Sequence, residues 1–457
     1  MVSEDGLDKR TSKTDMDSAV IFLTATFVLF ITLTSFYIWR RSQLFFLAYF
    51  ILAAYTVPTQ LGYALYPEKL SEVSHYQYYG EKAFFPYWTY IFLSFIAIFV
   101  VFAALYNRKF KLSVKLEARP SLKKNAELLY ILVLLLYEFI VTFFLVRGFG
   151  SLSYSTQSVL KHNKIWFYCF SLNGVVLLSI FYKLHTERNI FARVFYFTVF
   201  SISLSVFLMT AIRSGQRSEV AMTVLGFVAS LWYLFRDKIR RRGLRLKHAI
   251  VILTLVFVLV GFAQGVRTAR GHNESVAEIL SVLKEPQTFL SLFSLKTLIF
   301  QDWLPPSLCL MTSIEGHIVF PGKVVESNIT CLIPFMDHSS LGETLARMVA
   351  PESERGYGYY ILCEGYNLMG FWGFLYSAFL FVFCLRVLEC FFANTRDELF
   401  NAYMFGIMGY LAIWIVRGGQ SMTFLKVVYL YFVPAIMLFM LMGAGRVYLV
   451  RLKRRIR

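Results

Sequence analysis

Long apolar runs separated by short polar and basic segments dominate this chain. A helix needs roughly 17–25 predominantly apolar residues to cross a bilayer, and about eleven stretches of the chain meet that requirement. The pattern therefore predicts an all-α polytopic membrane protein. The predicted spans are 18–38, 43–62, 86–106, 126–146, 165–184, 190–211, 218–235, 248–265, 360–383, 400–416 and 423–442.

One long segment, 266–359, separates the eighth and ninth predicted spans. Within it, Ser275-Val-Ala-Glu278 is typical of a capping box that opens an amphipathic helix. A second amphipathic stretch begins at Pro286, and Pro305-Pro306 is expected to break the helical pattern. We therefore expect one large extracytoplasmic loop whose amphipathic helices lie at the membrane interface.

Composition agrees with this architecture, because 57% of the residues are hydrophobic and only 16% are charged. The net charge of +18 is concentrated in the loops after the third and seventh spans and in the C-terminal tail. By the positive-inside rule these segments are cytoplasmic, which places the N-terminus and segment 266–359 on the outer side. So uneven a charge distribution does not favour nucleic-acid binding.

These patterns divide the chain into five segments. They are a polar N-terminal segment 1–17, transmembrane helices 1–8 in 18–265, the large loop 266–359, transmembrane helices 9–11 in 360–445 and a basic cytoplasmic tail 446–457.

The six cysteines show no metal-binding spacing, so no metal site is predicted. Cys309 and Cys331 share the large loop, and they would pair only if that loop faces an oxidising compartment. No phosphate-binding loop, dinucleotide fingerprint, HExxH, DxD or nucleophile elbow occurs in a suitable context. The sequence therefore argues against an ATPase, a metal-dependent nucleotide-sugar enzyme and a metalloprotease.

Three arginine clusters follow predicted spans and are expected on the outer side. They hold Arg213 and Arg217, Arg267 and Arg270, and Arg417. Arginine at a bilayer boundary is costly to desolvate, so it anchors to lipid phosphates or holds an anionic ligand. Several on one face favour a polyanionic group such as a lipid pyrophosphate.

Two further residues are candidates for general acid–base chemistry. Glu364 lies early in the ninth predicted span, on the side where the arginines gather, and a carboxylate there needs a partner or a proton. His338 follows Asp337 in the large loop, and either could accept a proton from a hydroxyl. The structural alternatives are local pairing for Glu364 and a solvated loop pair for His338.

The order of these features resembles the Wzy-type polymerases of bacterial O-antigen and related exopolysaccharides. The resembling segments run through roughly 200–435. They are Arg213-Ser-Gly-Gln-Arg217, Gly265-Val-Arg-Thr-Ala-Arg270, Leu332-Ile-Pro334, Glu364-Gly-Tyr-Asn-Leu-Met-Gly-Phe-Trp-Gly373 and Arg417-Gly-Gly. The fourth segment matches the pattern E-x-Y-x-x-x-G-x-x-G of these polymerases. Where the family has Lys-Pro or Arg-Pro after the Ile-Pro element, this chain has Met336-Asp337-His338.

The resemblance implies an enzyme of the bacterial inner membrane whose active site faces the periplasm. Its substrates would be undecaprenyl-pyrophosphate-linked oligosaccharides, with no cofactor, and its partners a chain-length regulator and a flippase. The implied pyrophosphate site comprises Arg213, Arg217, Arg267, Arg270 and Arg417. The implied catalytic residues are Arg417, Arg217, Glu364 and His338.

Two alternatives stay open from the sequence. An O-antigen ligase uses the same donor and places an important histidine in the large outer loop, where this chain has His317 and His338. A transporter of lipid-linked glycans or anions would need charged groups near the middle of several spans. The predicted spans are mostly apolar there, with Glu138 as the main exception.

Overall fold

The computed structural model describes part of the chain. The described residues are 5–65, 81–107, 177, 180, 181, 184, 187–214, 304–330, 341, 342, 344, 345, 359–392, 415 and 416.

The elements whose bounds the structure describes are all helical, namely eight α-helices and one short 3-10 turn. The helices are α1 (Asp5–Arg41), α2 (Gln43–Leu65), α3 (Glu81–Asn107), α4 (Ile190–Ser214), α5 (Leu304–Glu315), α6 (Pro321–Thr330), α7 (Ile361–Met369) and α8 (Gly373–Phe392). The 3-10 turn, Gly370–Trp372, connects α7 to α8.

Four stretches are long and apolar enough to cross a membrane: Ser18–Arg41, Leu44–Gly62, Phe84–Tyr106 and Ile361–Val387. They coincide with the first, second, third and ninth predicted spans. Their outer faces carry large apolar side chains, and only 28% of the most apolar window of α1 is buried within the protein. Such a surface needs a lipid environment, so the chain is a membrane protein.

The ninth predicted span is not the single helix that the sequence predicted for 360–383. The chain reverses at Gly370, so α7 and the first half of α8 form an antiparallel hairpin. Ser377 Oγ donates a hydrogen bond to the carbonyl of Ile361 at 2.9 Å. In one continuous helix these residues would stand about 24 Å apart. With 20 residues, α8 is long enough to span alone, whereas the nine residues of α7 are not.

The chain forms two compact units, and the larger described part belongs to the first. In this unit α1, α2 and α3 pack through aromatic side chains. Phe27 of α1 contacts Phe95 of α3 edge to face at 5.1 Å, and Tyr49 of α2 contacts the same Phe95 at 5.2 Å. A buried hydrogen bond of 2.7 Å joins Thr34 of α1 to Tyr49.

A polar junction joins three helix ends of the first unit. Ser42, between α1 and α2, donates a hydrogen bond to Glu389 near the end of α8. Tyr106, near the end of α3, donates to the same carboxylate at 2.5 Å, and Arg386 pairs with it at 3.6 Å. The end of α1, the end of α3 and the end of α8 therefore lie on one side of the helix bundle.

In the second unit the main described element is α4, which covers the sixth predicted span. Phe200 of α4 contacts Phe181 at 5.7 Å between ring centroids. Six large apolar side chains of α4, among them Phe191 and Phe197, are exposed, as expected of a helix that faces lipid.

Candidate functional site

Helix α5 fills the interior of the first unit, beside α2, α3 and α7. Pro305 and Pro306 open this helix instead of breaking the pattern, because proline lacks an N–H that the first turn does not need. The helix buries Ser307, Cys309 and Ser313. Part of the segment that the sequence predicts as an external loop is therefore packed inside the bundle.

A tight turn carries the chain from α5 to α6. His317 there has φ of 47°, a left-handed conformation that is uncommon for residues other than glycine. Hydrogen bonds from the backbone N–H groups of Gly316 and Ile318 to α5 carbonyls hold this turn, at 2.9 and 2.8 Å. The backbone N–H of Phe320 then donates to the carbonyl of Asn367 on α7 at 2.8 Å. This hydrogen bond therefore joins the connection between α5 and α6 to the C-terminal part of α7.

The side chain of Asn367 makes four hydrogen bonds in the same region. Its amide nitrogen donates to Ser313 Oγ at 3.0 Å and to the carbonyl of Ile318 at 2.8 Å. Its amide oxygen accepts from Tyr359 OH at 2.9 Å and from the Cys363 thiol at 3.4 Å. Both donors and both lone pairs of the amide are used, so Asn367 holds α5, α7 and the turn before α6 in one arrangement.

Burial keeps two ionisable groups in this region protonated, the hydroxyl of Tyr359 and the thiol of Cys309. It raises the pKa of Tyr359 well above the ordinary tyrosine value, with nearby thiol and carboxyl groups adding to the effect. Burial also raises the pKa of the Cys309 thiol on α5. Both groups therefore stay protonated at neutral pH, and Tyr359 remains a hydrogen-bond donor to Asn367.

Glu364 lies one turn before Asn367, in the first turn of α7, and is completely buried. Asn328 of α6 donates its side-chain N–H to Glu364 Oε1 at 3.1 Å. Tyr359 and Tyr376 also lie near this carboxyl group. A buried carboxylate is costly unless hydrogen bonds or a specific role compensate for it, so this is the strongest candidate for chemistry among the described residues.

Close contact between glycines makes the hairpin that carries Glu364 possible. A Cβ atom on Gly365 would collide with the backbone of Gly373 and with Ser377 Oγ, and a Cβ on Gly373 would collide with the Gly365 carbonyl. Gly370, which ends α7, has φ of 61° and ψ of −141°, a conformation almost restricted to glycine. The glycine spacing of the segment 364–373 thus has a structural reason.

The structure describes few of the residues that the sequence singled out. Glu364 is described fully, and His317 lies exposed in the turn after α5. Arg213 lies in the last turn of α4, where only the backbone is described. Four arginines and one histidine fall outside the described residues, so their relation to Glu364 stays a prediction. They are Arg217, Arg267, Arg270, Arg417 and His338.

Asn328 and Asn367 are site residues that the sequence did not reveal. Asn328 begins the sequence Asn-Ile-Thr, which has the form of a glycosylation sequon, yet its amide is engaged with Glu364. Asn367 stands three residues after Glu364 in an apolar run, and that helical spacing is the one available signal that the two share a face.

The sequence left a disulfide between Cys309 and Cys331 open. Cys309 is a buried free thiol, and Cys331 lies outside the described residues. Within the part of the chain that the structure describes, no group of three His, Cys, Asp or Glu residues could hold a metal ion.

Comparisons with protein-family models, with curated proteins and with solved structures find no match to this chain.

Proposed function

We propose that this protein is a membrane glycosyltransferase that joins undecaprenyl-pyrophosphate-linked oligosaccharide repeat units into a surface polysaccharide. One observation carries the proposal. The segment that resembles the polymerase pattern, 364–373, folds as a tight glycine hairpin around a completely buried carboxylate, Glu364. A segment that only crossed the membrane would need neither the close glycine contact nor the buried charge.

In the proposed reaction, a hydroxyl oxygen of one lipid-linked unit attacks the anomeric carbon of the growing glycan. The bond from that carbon to the pyrophosphate oxygen breaks, its electron pair stays on the pyrophosphate, and the hydroxyl proton passes to a base. Glu364 is the proposed base, with His338 as the second candidate. Arg213, Arg217, Arg267, Arg270 and Arg417 would stabilise the charge that develops on the leaving undecaprenyl pyrophosphate.

The position of Glu364 along the bundle supports an outward-facing site. Tyr90 OH of α3 donates to the carbonyl of Leu362 on α7 at 3.0 Å. Tyr106, sixteen positions further along α3, donates to Glu389, so these two contacts lie about 24 Å apart along the helix. If the basic loop after α3 is cytoplasmic, the carboxylate lies toward the periplasmic side of the inner membrane.

A transporter is the second candidate, and a specific observation favours it. Transporters bind substrates at discontinuous helices, and α7 and α8 form such a broken pair with a buried carboxylate beside the break. An O-antigen ligase is the third candidate, because His317 is exposed in the segment where such enzymes carry a histidine.

A gel of surface glycan from cells that carry Arg417→Ala or Glu364→Gln separates these functions. The polymerase proposal predicts single repeat units on the lipid core, and loss of a ligase predicts no glycan on the core at all. Gly322→Ala is the matched control, since a Cβ there meets nothing within 4 Å. Normal chain-length ladders from both variants, at normal protein levels in the membrane, would overturn the proposal.

A further inference from the structure

We propose that the turn between α7 and α8 is immersed in lipid, in the bilayer leaflet opposite the polar junction at Glu389. This turn, Gly370–Trp372 together with the preceding Met369, is called the hairpin tip below. Three of its side chains are large, apolar and exposed: Met369 at 52%, Phe371 at 44% and Trp372 at 65%. The partner that we assign to them is the acyl chains of membrane lipid. The proposal does not depend on the polymerase function.

The hairpin tip continues a row of exposed apolar side chains on α8. Leu375, Phe379 and Phe383 are 50%, 55% and 40% exposed, and all three lie in an apolar stretch that is long enough to cross a membrane. Trp372 precedes Leu375 by three positions, and the next two intervals are of four positions each. Such spacing places all four side chains on one face of a helix. The lipid-facing surface of α8 therefore continues into the tip.

The length of α8 indicates how deep the tip lies. Glu389 accepts a hydrogen bond from Ser42, which directly follows the apolar stretch Ser18–Arg41, so the junction marks one boundary of the membrane. Sixteen positions separate Glu389 from Gly373, the first residue of α8, and they correspond to about 24 Å of helix. The hydrocarbon core of a bilayer is about 30 Å thick, and any tilt of α8 shortens its reach. The tip therefore ends before the opposite boundary.

Helix α3 leads to the same conclusion independently. The ring of Tyr90 contacts Phe371 of the tip edge to face at 5.9 Å between centroids, and it contacts Phe374 at 6.4 Å. The apolar stretch of α3 continues for six positions beyond Tyr90, to Phe84, which corresponds to about 9 Å of helix. The membrane-spanning part of α3 therefore extends past the level at which the tip packs.

Lipid fits the tip better than water or another protein does. Water at this depth would have to enter a region that the apolar part of α3 already spans. A protein partner would have to displace lipid from a surface that is continuous with the lipid-facing side of α8. Tryptophan is common near the edge of the hydrocarbon core, because its ring is apolar and its indole N–H can bond to lipid headgroups.

Immersion of the tip also determines the depth of the candidate site. Helix α7 runs back from the tip into the bundle, and the carbonyl of its first residue, Ile361, accepts the hydrogen bond from Ser377 Oγ. Ser377 lies about one turn beyond Gly373 in the direction of Glu389. Glu364 lies between this level and the tip, so its carboxylate would be deeper in the membrane than the tip itself.

Fluorescence quenching of Trp372 tests the proposal on the full chain reconstituted in phosphatidylcholine vesicles. The chain has seven tryptophans, so the Trp372 signal is measured as the emission that Trp372→Phe removes. Lipids brominated in the half of the acyl chain next to the headgroup quench tryptophans that contact lipid, whereas aqueous iodide quenches those that contact water. We expect the Trp372 signal to lose more than half of its intensity in brominated vesicles and to resist iodide. Quenching by iodide would reveal water at the tip, quenching by neither would reveal a protein cover, and both results overturn the proposal.

Two reference signals calibrate the measurement. Trp39 is 48% exposed near the other end of the membrane-spanning helices, and the emission that Trp39→Phe removes should be quenched by the same brominated lipids. Phe379→Trp in the Trp372→Phe background moves the ring about two turns further into the membrane, so lipids brominated near the ends of the acyl chains should quench it more strongly. A Trp372 signal that stays unquenched in vesicles that quench both references contradicts immersion of the tip.

Discussion

At the scale of single residues, Glu364 and Asn367 are two buried polar residues of α7 that have different roles. Asn367 has every donor and lone pair engaged, which is typical of a residue that fixes structure. Glu364 brings a carboxylate into a fully buried position, where desolvation penalises its charge. The contrast identifies Asn367 as the support of the hairpin and Glu364 as the residue whose chemistry has to be tested.

Gly365→Ala should destabilise the protein strongly. The added methyl group would meet the Gly373 backbone, which cannot move aside as a flexible side chain could, so we expect a loss of about 3 kcal/mol. Thermal unfolding in detergent, followed by size-exclusion chromatography, measures the loss. Gly322→Ala should leave the midpoint unchanged, and equal midpoints for both variants would contradict the close contact of α7 with α8.

The sequence predicted Glu364 as a candidate because a carboxylate in an apolar run is unusual. It did not predict Asn328 as its partner, because an asparagine in a polar segment is ordinary until the fold brings it to the carboxylate. Long-range pairing of this kind depends on packing that no local pattern encodes.

At the scale of helices, apolar length predicted the existence of α1, α2 and α3 but not the reversal between α7 and α8. Span counting treats 360–383 as one helix because most of its residues are apolar. The signal for the reversal was the spacing of Gly365, Gly370 and Gly373, whose backbone roles become visible only in the folded hairpin.

The buried position of α5 makes a prediction for its cysteine. Cys309 is 2% exposed and burial raises its pKa, so both access and thiolate formation disfavour reaction. N-ethylmaleimide should therefore modify Cys384, whose side chain is partly exposed, before Cys309, which it should reach only after denaturation. Mass spectrometry of the alkylated peptides measures the order. Rapid alkylation of Cys309, or its recovery in a disulfide with Cys331, would show that α5 is not packed inside the bundle.

At the scale of the whole molecule, the described helices constrain the topology of the rest. Helices α3 and α8 run parallel, since Tyr90 contacts Phe374 near their beginnings and Tyr106 contacts Glu389 near their ends. A chain that leaves α3 on one side and enters α8 on the other has to cross the membrane an odd number of times in between. The five predicted spans from 126–146 to 248–265 satisfy this requirement, although they lie largely outside the described residues.

The junction at Glu389 should contribute measurably to the stability of this arrangement. Glu389→Ala would leave Ser42, Tyr106 and Arg386 without their common acceptor, and we expect a loss of about 2–4 kcal/mol. The same thermal unfolding assay measures it. The exposed Glu326 on α6 provides the control, and Glu326→Ala should change the unfolding midpoint little. A Glu389→Ala protein as stable as this control would contradict the junction.

The proposed polymerase activity assigns the buried Glu364 to the active site, and reconstitution with purified lipid-linked repeat units is the sharpest test of this assignment. The natural protein and the control Gly322→Ala should convert these units into a ladder of longer glycans on undecaprenyl pyrophosphate. Glu364→Gln conserves the shape of the side chain and an acceptor for Asn328, so it should stay folded and form no ladder. Ladder formation by Glu364→Gln at the rate of the natural protein would contradict the account.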